Sequence, residues 1–293
     1  MEGTRELEAL KFEPDAPDAA QAAAVAAVRP AQSGRSHALV LAVLLPLLIL
    51  GFWTLSSVRN IFGPGLLPNP FETALSYYDW VAGKPRGAVD PFNGTWLQNV
   101  EASALRVVLG VLCAAVVGIS LGILIGRSRA VELLIDPTIQ GFRPVPVTAW
   151  VPFTLIFFGI SPVAAISLIF VAAFFPILVN TTAGAQNVSV SLLRAGRMLG
   201  ASEAYLLRRV VLPSALPNVF TGLRLGIGMA WVAVIVAEMI GVKSGLGYIL
   251  WQAYYWNRMD MLICTVMTIG VLGFISDRIV YVYARRKFFW TSK

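Results

Sequence analysis

LGASEAYLLRRVVLPSALP, residues 199–217, interrupts two long apolar runs with Glu203, Arg208 and Arg209, a glycine at 200 and prolines at 213 and 217. Read as helix, Leu192 to Val210 puts Leu192, Ala195, Leu199, Leu206 and Val210 on one face at helical steps, with Arg194, Arg197 and Arg208 mostly elsewhere. Gly200 weakens a continuous helix and permits a sharp turn or a close backbone approach. Pro213 and Pro217 are expected to end the element before the next apolar run begins. The stretch therefore reads as a short, basic, amphipathic element that lies on lipid headgroups or docks into a partner.

The flanking composition sets the frame for that element. Of the 293 residues 57% are hydrophobic and only 13% charged, which makes lipid the main solvent and the chain an all-α integral membrane protein. A helix crosses a hydrocarbon core about 30 Å thick with roughly 20 apolar residues, and unpaired strands cannot satisfy their backbone there. About six spans are expected: Ala38 to Ser57, Ser103 to Gly126, Val147 to Ile160, Val163 to Asn187, Val219 to Val242 and Met261 to Tyr283.

Basic residues are retained on the cytoplasmic side of a membrane. With the N-terminus inside, the cytoplasmic segments hold Arg5, Lys11, Arg29, Arg35, Arg127, Arg129, Arg143, Arg194, Arg197, Arg208, Arg209, Arg285, Arg286, Lys287 and Lys293. The outer segments hold only Arg59, Lys84, Arg86, Lys243 and Arg258, so both termini are expected in the cytoplasm. Topology and anionic lipid then account for the net charge of +7 without a nucleic-acid partner. The organisation expected is a cytoplasmic extension over 1–37, a first span over 38–57, an extracytoplasmic segment over 58–102, a membrane core over 103–283 containing the cytoplasmic loop 188–218, and a basic tail over 284–293. The acidic start of the extension (Glu2, Glu6, Glu8) is unlike the basic leader of a cleavable signal. Cys113 and Cys264 each fall inside a span and read as small core residues.

Gly118, Gly122 and Gly126 recur every four residues, as do Gly222 and Gly226, a spacing that lets helix backbones approach closely in lipid. Charges inside the spans are few: Arg106, Arg224, Glu238, Asp277 and Arg278. Each is costly at depth; Arg106, Arg224, Asp277 and Arg278 lie where snorkelling to an interface is the plain explanation, and Glu238 lines a pathway or caps a helix contact. Arg224, Trp231 and Glu238 are the candidates for a pathway or gate. Catalysis finds no support: the only histidine is His37, and no G-x-x-x-x-G-K-[ST] loop is present to hold nucleotide. No metal or cofactor is expected on this chain, and energised work requires ATP hydrolysis elsewhere.

From Ala195 to Pro213 the pattern A-G-x-x-x-G, nine residues, V-x-L-P resembles the "EAA" loop of permease subunits of binding-protein-dependent ABC importers. Arg194 stands where that family usually has Glu, and Gly196 where it has the second Ala. Upstream GPGLLPNPFET, then LLIDPTIQGFRPVPVTAWVPFTLIFFGIS (133–161), FFPILVNTTAG (174–184) and VVLPSALPNVFTGLRLGIGMAWVAVIVAEMIGVKSGLGYIL (210–250) are similar to the nitrate/sulfonate/taurine/bicarbonate branch, covering Gly63 to the C-terminus. The resemblance implies a type I ABC importer permease in a bacterial inner membrane. Its partners would be two ATP-binding cassette subunits using ATP and magnesium, a second permease chain and an extracytoplasmic solute-binding protein. It also implies that Arg194, Ala195, Gly196, Gly200, Ala201, Ser202, Leu206, Val210, Leu212 and Pro213 form the loop that couples to the ATPase. A small oxyanion or sulfonate is the implied cargo, with pyrimidine precursors and other small organic solutes carried by near relatives. Six spans without an internal repeat argue against a secondary transporter.

Overall fold

The computed structural model describes residues 35–63, 66–83 and 90–287, with side chains from Val43 onward. Most of the expected N-terminal extension, Lys84, Arg86 and the end of the basic tail (288–293) lie outside the described residues. The chain divides into two compact units at Leu55/Ser56. Most of helix α1 (Arg35–Val58) belongs to the first; it carries Pro46, and its described part, Val43–Val58, is apolar.

In the second unit, Asn69 caps α2 (Pro70–Ala82) by accepting from the Phe71 amide at 3.0 Å, and Pro70 occupies the first turn, where a missing N–H costs nothing. The bundle is then built by α3 (Trp96–Arg127), α4 (Arg129–Phe142), a 3₁₀ turn (Val147–Trp150) running into α5 (Val151–Phe158), and α6 (Pro162–Gln186). It continues with α7 (Val190–Met198), α8 (Glu203–Leu206), a π-helical turn (Leu207–Val211), α9 (Leu212–Gly241), α10 (Leu246–Tyr255) and α11 (Met259–Lys287). Among the described residues there is no strand.

Among the described residues, four continuous helical stretches are long and apolar enough to cross a bilayer: α3, α6, Glu203–Gly241 and α11. The expected third span, Val147 to Ile160, is corrected. It is half of a broken element in which Arg129–Phe142 and Val147–Phe158 meet at 95°. Pro144 and Pro146 remove two donors where α4 would continue, and Gly159, at φ +66°, ends α5. The expected start of the fifth span at Val219 is corrected too: Pro213 and Pro217 do not end an element, because the helix runs through both. Pro213 falls in the first turn of α9, and the π-turn before it absorbs the register change a proline forces.

Helix α6 is the centre of the bundle, packed along α3 on one side and α9 on the other. Glycine makes both contacts possible. A methyl at Gly122 would meet Thr181 Cβ at 2.7 Å and the Leu178 carbonyl at 2.9 Å; at Gly126 it would meet Ala185 Cβ at 2.6 Å. Gly118 lies against Ile177, while Gly222 and Gly226 bring α9 onto Asn180, Pro176, Ile177 and Ala173. Backbones at this distance gain dispersion contacts that lipid cannot replace. Hydroxyls inside the helices return to their own backbone, as Thr181 Oγ1 does to the Ile177 carbonyl at 2.7 Å and Thr265 Oγ1 to the Met261 carbonyl at 2.7 Å. Cys264 is buried, donating to the Thr73 carbonyl of α2 at 3.4 Å, whereas Cys113 is exposed on α3 and not in the core.

Candidate functional site

The segment quoted first folds as two pieces around Gly200, whose φ of +79° is left-handed backbone that glycine adopts without penalty. No atom would lie within 4 Å of a methyl there, so the turn and not a close approach requires the glycine. Helix α7 ends just before it, the amides of Gly200 and Ala201 donate to the Arg197 and Gly196 carbonyls, and Ser202 starts α8 by accepting from the Tyr205 amide at 3.2 Å. The single apolar face read from Leu192 to Val210 is therefore corrected. The turn redirects the chain, so Leu193, Leu206 and Val211 are buried with Ala185 and Val188, and Leu192 and Leu199 face outward. Met198 and Leu199 at the tip are 86% and 88% exposed.

Each residue of this element has a place. A methyl at Gly196 would come 2.5 Å from Leu206 Cδ2, so the glycine admits the buried leucine. Arg194, Ala195 and Ser202 are exposed, Ala201 and Val210 pack against the small buried cluster, and Leu212 and Pro213 open α9. Arg197 Nε donates to Glu203 Oε1 at 2.7 Å across the turn, and Arg127 at the end of α3 reaches Glu203 Oε2 at 3.7 Å. The element is thus a preformed, basic, apolar-tipped projection at one end of the bundle.

Further along α9, Glu238 is fully buried. Arg106 of α3, its side chain 8% exposed, donates from Nη1 to Glu238 Oε1 at 2.6 Å. Ser103 Oγ lies 2.8 Å from Oε2, and the Gly247 amide donates to Oε2 at 2.9 Å. Arg106 also donates to the Ser244 carbonyl (2.9 Å) and hydroxyl (2.7 Å), the Gly245 amide donates to Asn99 Oδ1 at 2.8 Å, and the Leu246 amide to Ser103 Oγ at 2.8 Å. A methyl at Gly245 (φ +107°) would collide with the Glu238 carboxylate. The geometry is that of a helix-contact group: the turn between α9 and α10 is tied down to α3. At this same end Arg258 donates to Asp90 (2.6 Å) and Asp260 (2.8 Å), and first Asp260, then Asp90, push its pKa further up.

Arg224 behaves differently. Its Nε and Nη2 donate to the two oxygens of Asp277 on α11, both at 2.8 Å, and its guanidinium lies 4.9 Å from the Tyr281 ring centroid. Arg224 and Asp277 remain 38% and 41% exposed. Because Gly222 and Gly226 sit on the stretch Ala173 to Asn180 of α6, Arg224 lies opposite a point about 21 Å from one end of α6 and about 15 Å from the other. That is mid-depth, not a helix end. Beside it opens a cleft of about 700 Å³ walled by α6, α9 and the break between α4 and α5, with Arg143 and Asn180 also on its lining. Trp231 is buried nearby on α9, donating from Nε1 to Ser276 Oγ at 2.8 Å, and does not line the cleft.

Sequence reasoning missed Asn99, Ser103 and Ser244 as site residues, put Arg143 in a cytoplasmic segment where the structure puts it on the cleft at the break between α4 and α5, and missed that Arg106 and Asp277 have partners. The glycines at 245 and 247, four and six residues after a helix end, were the available signal for the tied turn. Among the described residues, no group of three or more His, Cys, Asp and Glu could hold a metal.

Comparison with known proteins agrees with this architecture. Residues 114–288 match the family model described as binding-protein-dependent transport system inner membrane component. The bicarbonate transport system permease protein of Synechococcus elongatus is 38% identical over 248 residues, 81% of this chain and 87% of that protein. The taurine transport system permease protein of Escherichia coli is 35% identical over 233 residues, 80% and 82% of the two chains. An inward-facing crystal form of the MetNI methionine ABC transporter aligns with a TM-score of 0.55 at 22% identity, covering 66% of this chain and 98% of that one, which speaks for the fold.

Proposed function

The chain belongs to the family of binding-protein-dependent transport system inner membrane components, and on that premise we propose that it is a permease subunit carrying a small oxyanion-bearing solute, driven by ATP hydrolysed on a separate subunit. Bicarbonate- and taurine-like solutes are the favoured cargo, by likeness to permeases of that naming. The observation that carries the coupling role is the projection folded about Gly200. Its apolar tip, Met198 and Leu199, is left uncovered by the described residues, and its base is locked by Leu206 under Gly196. A rigid helix pair with a bare hydrophobic end is suited to seat in a groove of a partner and pass on its movement.

Arg127, Arg129, Arg194, Arg197, Arg208 and Arg209 cluster around this end, which supports a cytoplasmic placement for it, for both termini and for the ATPase. The end holding Arg258 and Tyr254 would then face the solute-binding protein, in a bacterial inner membrane, with a second copy of the permease completing the path.

The test is ATP hydrolysis by the chain co-expressed with its candidate ATPase, reconstituted in lipid, with and without a binding protein loaded with bicarbonate, taurine, an alkanesulfonate or nitrate. Stimulation by a loaded binding protein is the expected result; failure of any ATPase to co-purify overturns the coupling role. In the same assay Gly200→Asp should cut stimulated hydrolysis and uptake at least tenfold while the chain still inserts and folds, because the turn is exposed and away from the bundle core. Unchanged uptake in that variant would contradict the role given to the turn.

A further inference from the structure

We propose that the mid-depth cleft is a transit site for small oxyanions, in which Arg143 and Arg224 make the polar contacts; this rests on the importer reading above. Three observations converge there. The cleft is formed where a span is broken, and irregular backbone at membrane depth is tolerated only where protein covers it or water fills it. Its walls are otherwise mostly apolar, with Val147, Phe175 and Met229 among them, so the few polar side chains decide what it can hold. And its charged lining is cationic.

The charge count gives the sign. Arg224 is neutralised by Asp277, but that pair engages only Nε and Nη2, leaving the N–H groups of Nη1 free to donate. Arg143 makes no ion pair among the described residues. Asn180 uses one N–H of Nδ2 on the Pro176 carbonyl at 2.8 Å and keeps the other. The cleft therefore holds one uncompensated positive charge and several unspent donors, with no carboxylate on its lining. Guanidinium N–H groups match the oxygens of a carboxylate-, nitrate- or sulfonate-type anion. The volume, about 700 Å³, leaves room for water around such an ion, which suits passage better than tight capture. A lipid phosphate offers the same oxygens, but it would have to leave the headgroup layer to reach this depth.

The complete importer, reconstituted in phosphatidylcholine vesicles, tests this with labelled nitrate, bicarbonate, taurine and methanesulfonate as cargo. For whichever anion the parent imports, Arg143→Gln should lower uptake below saturation about tenfold or more, the size of a lost charge-assisted hydrogen bond, and Arg143→Lys should restore most of it. Co-purification of the ATPase shows whether each variant complex is intact. Should Arg143→Gln fail to assemble, the paired variant Arg224→Gln with Asp277→Asn is compared instead, since it orphans no charge. Parental uptake in an assembled variant overturns the transit site and leaves the importer standing. The same holds if the parent imports only uncharged solutes. A loss that appears only when phosphatidylglycerol is added, and does not depend on cargo concentration, assigns the arginine to a lipid phosphate and also overturns the proposal. Failure of the parent to bind any ATPase is the failure of the function itself, and is read separately.

Discussion

Glu238→Ala is the sharpest perturbation the bundle offers. The carboxylate is fully buried and receives Arg106, the Ser103 hydroxyl and the Gly247 amide, and Arg106 is itself 8% exposed. Alanine leaves a guanidinium buried with only the Ser244 oxygens for company and removes the acceptor of the Gly247 amide. Deleting one partner of a buried pair typically costs about 3–5 kcal/mol, against about 1 kcal/mol for an exposed pair. For a chain of this size each kcal/mol moves the midpoint by roughly 2–4 °C, so a fall of about 10 °C is expected. The structure supplies the assay: Cys264 is buried and Cys113 exposed, so in a Cys113→Ala background a thiol-reactive dye reports unfolding through Cys264 alone. Removing both charges together, Arg106→Met with Glu238→Leu, should recover more than half of the loss, because no orphan charge remains. A Glu238→Ala variant that melts with its parent, or a double variant that loses the sum of the two singles, would refute the coupling described for this cluster.

The remaining expectations use the same dye-labelling readout. Gly122→Leu should prevent a folded, monodisperse chain, because even a methyl there meets Thr181 and the Leu178 carbonyl within 3 Å, while Gly270→Ala, with open space around it, should melt within about 1 kcal/mol of the parent. Arg258→Ala should lower the midpoint by a few degrees, about 1–2 kcal/mol after allowing for partial exposure, since it strips Asp90 and Asp260 of their shared partner; Asp90→Asn should cost less, because Asp260 keeps Arg258.

Most of the bundle was legible before any coordinates. Apolar run length marks α3, α6, α9 and α11, and the period of four in Gly118, Gly122 and Gly126 marks the face of α3 that meets α6. What was not legible is what depends on partners far apart in the chain. Pro213 and Pro217 look like stop signals locally, but Pro213 falls in a first turn, where a proline costs little and a π-turn supplies the register, and Pro217 is carried inside the helix. Leu199 has the period of a buried residue, yet one left-handed glycine beside it turns it outward. Arg106 and Glu238 are 132 residues apart, so neither predicts the other, and a lone charge near a span end reads as snorkelling until its counter-ion is placed.

The two ion pairs of the span region show why composition alone cannot assign a charge its role. Both join an arginine to a carboxylate on another helix, and both carry the cost of charge at depth. Arg106 and Glu238 are enclosed by the Gly247 amide and the Ser244 carbonyl and hydroxyl of one short turn and by the Ser103 hydroxyl of α3, so their desolvation is offset by bonds that fix that turn. Arg224 and Asp277 meet with only four of their polar atoms engaged and more than a third of each side chain uncovered, at mid-depth. Acyl chains are a poor neighbour for such a face, since every uncovered N–H would be unsatisfied there. It must abut water or another polar surface, and the cleft carrying Arg143 adjoins it. A sealed pair therefore marks where the bundle is held rigid, and a half-open pair is what the transit proposal requires of the place where something polar passes.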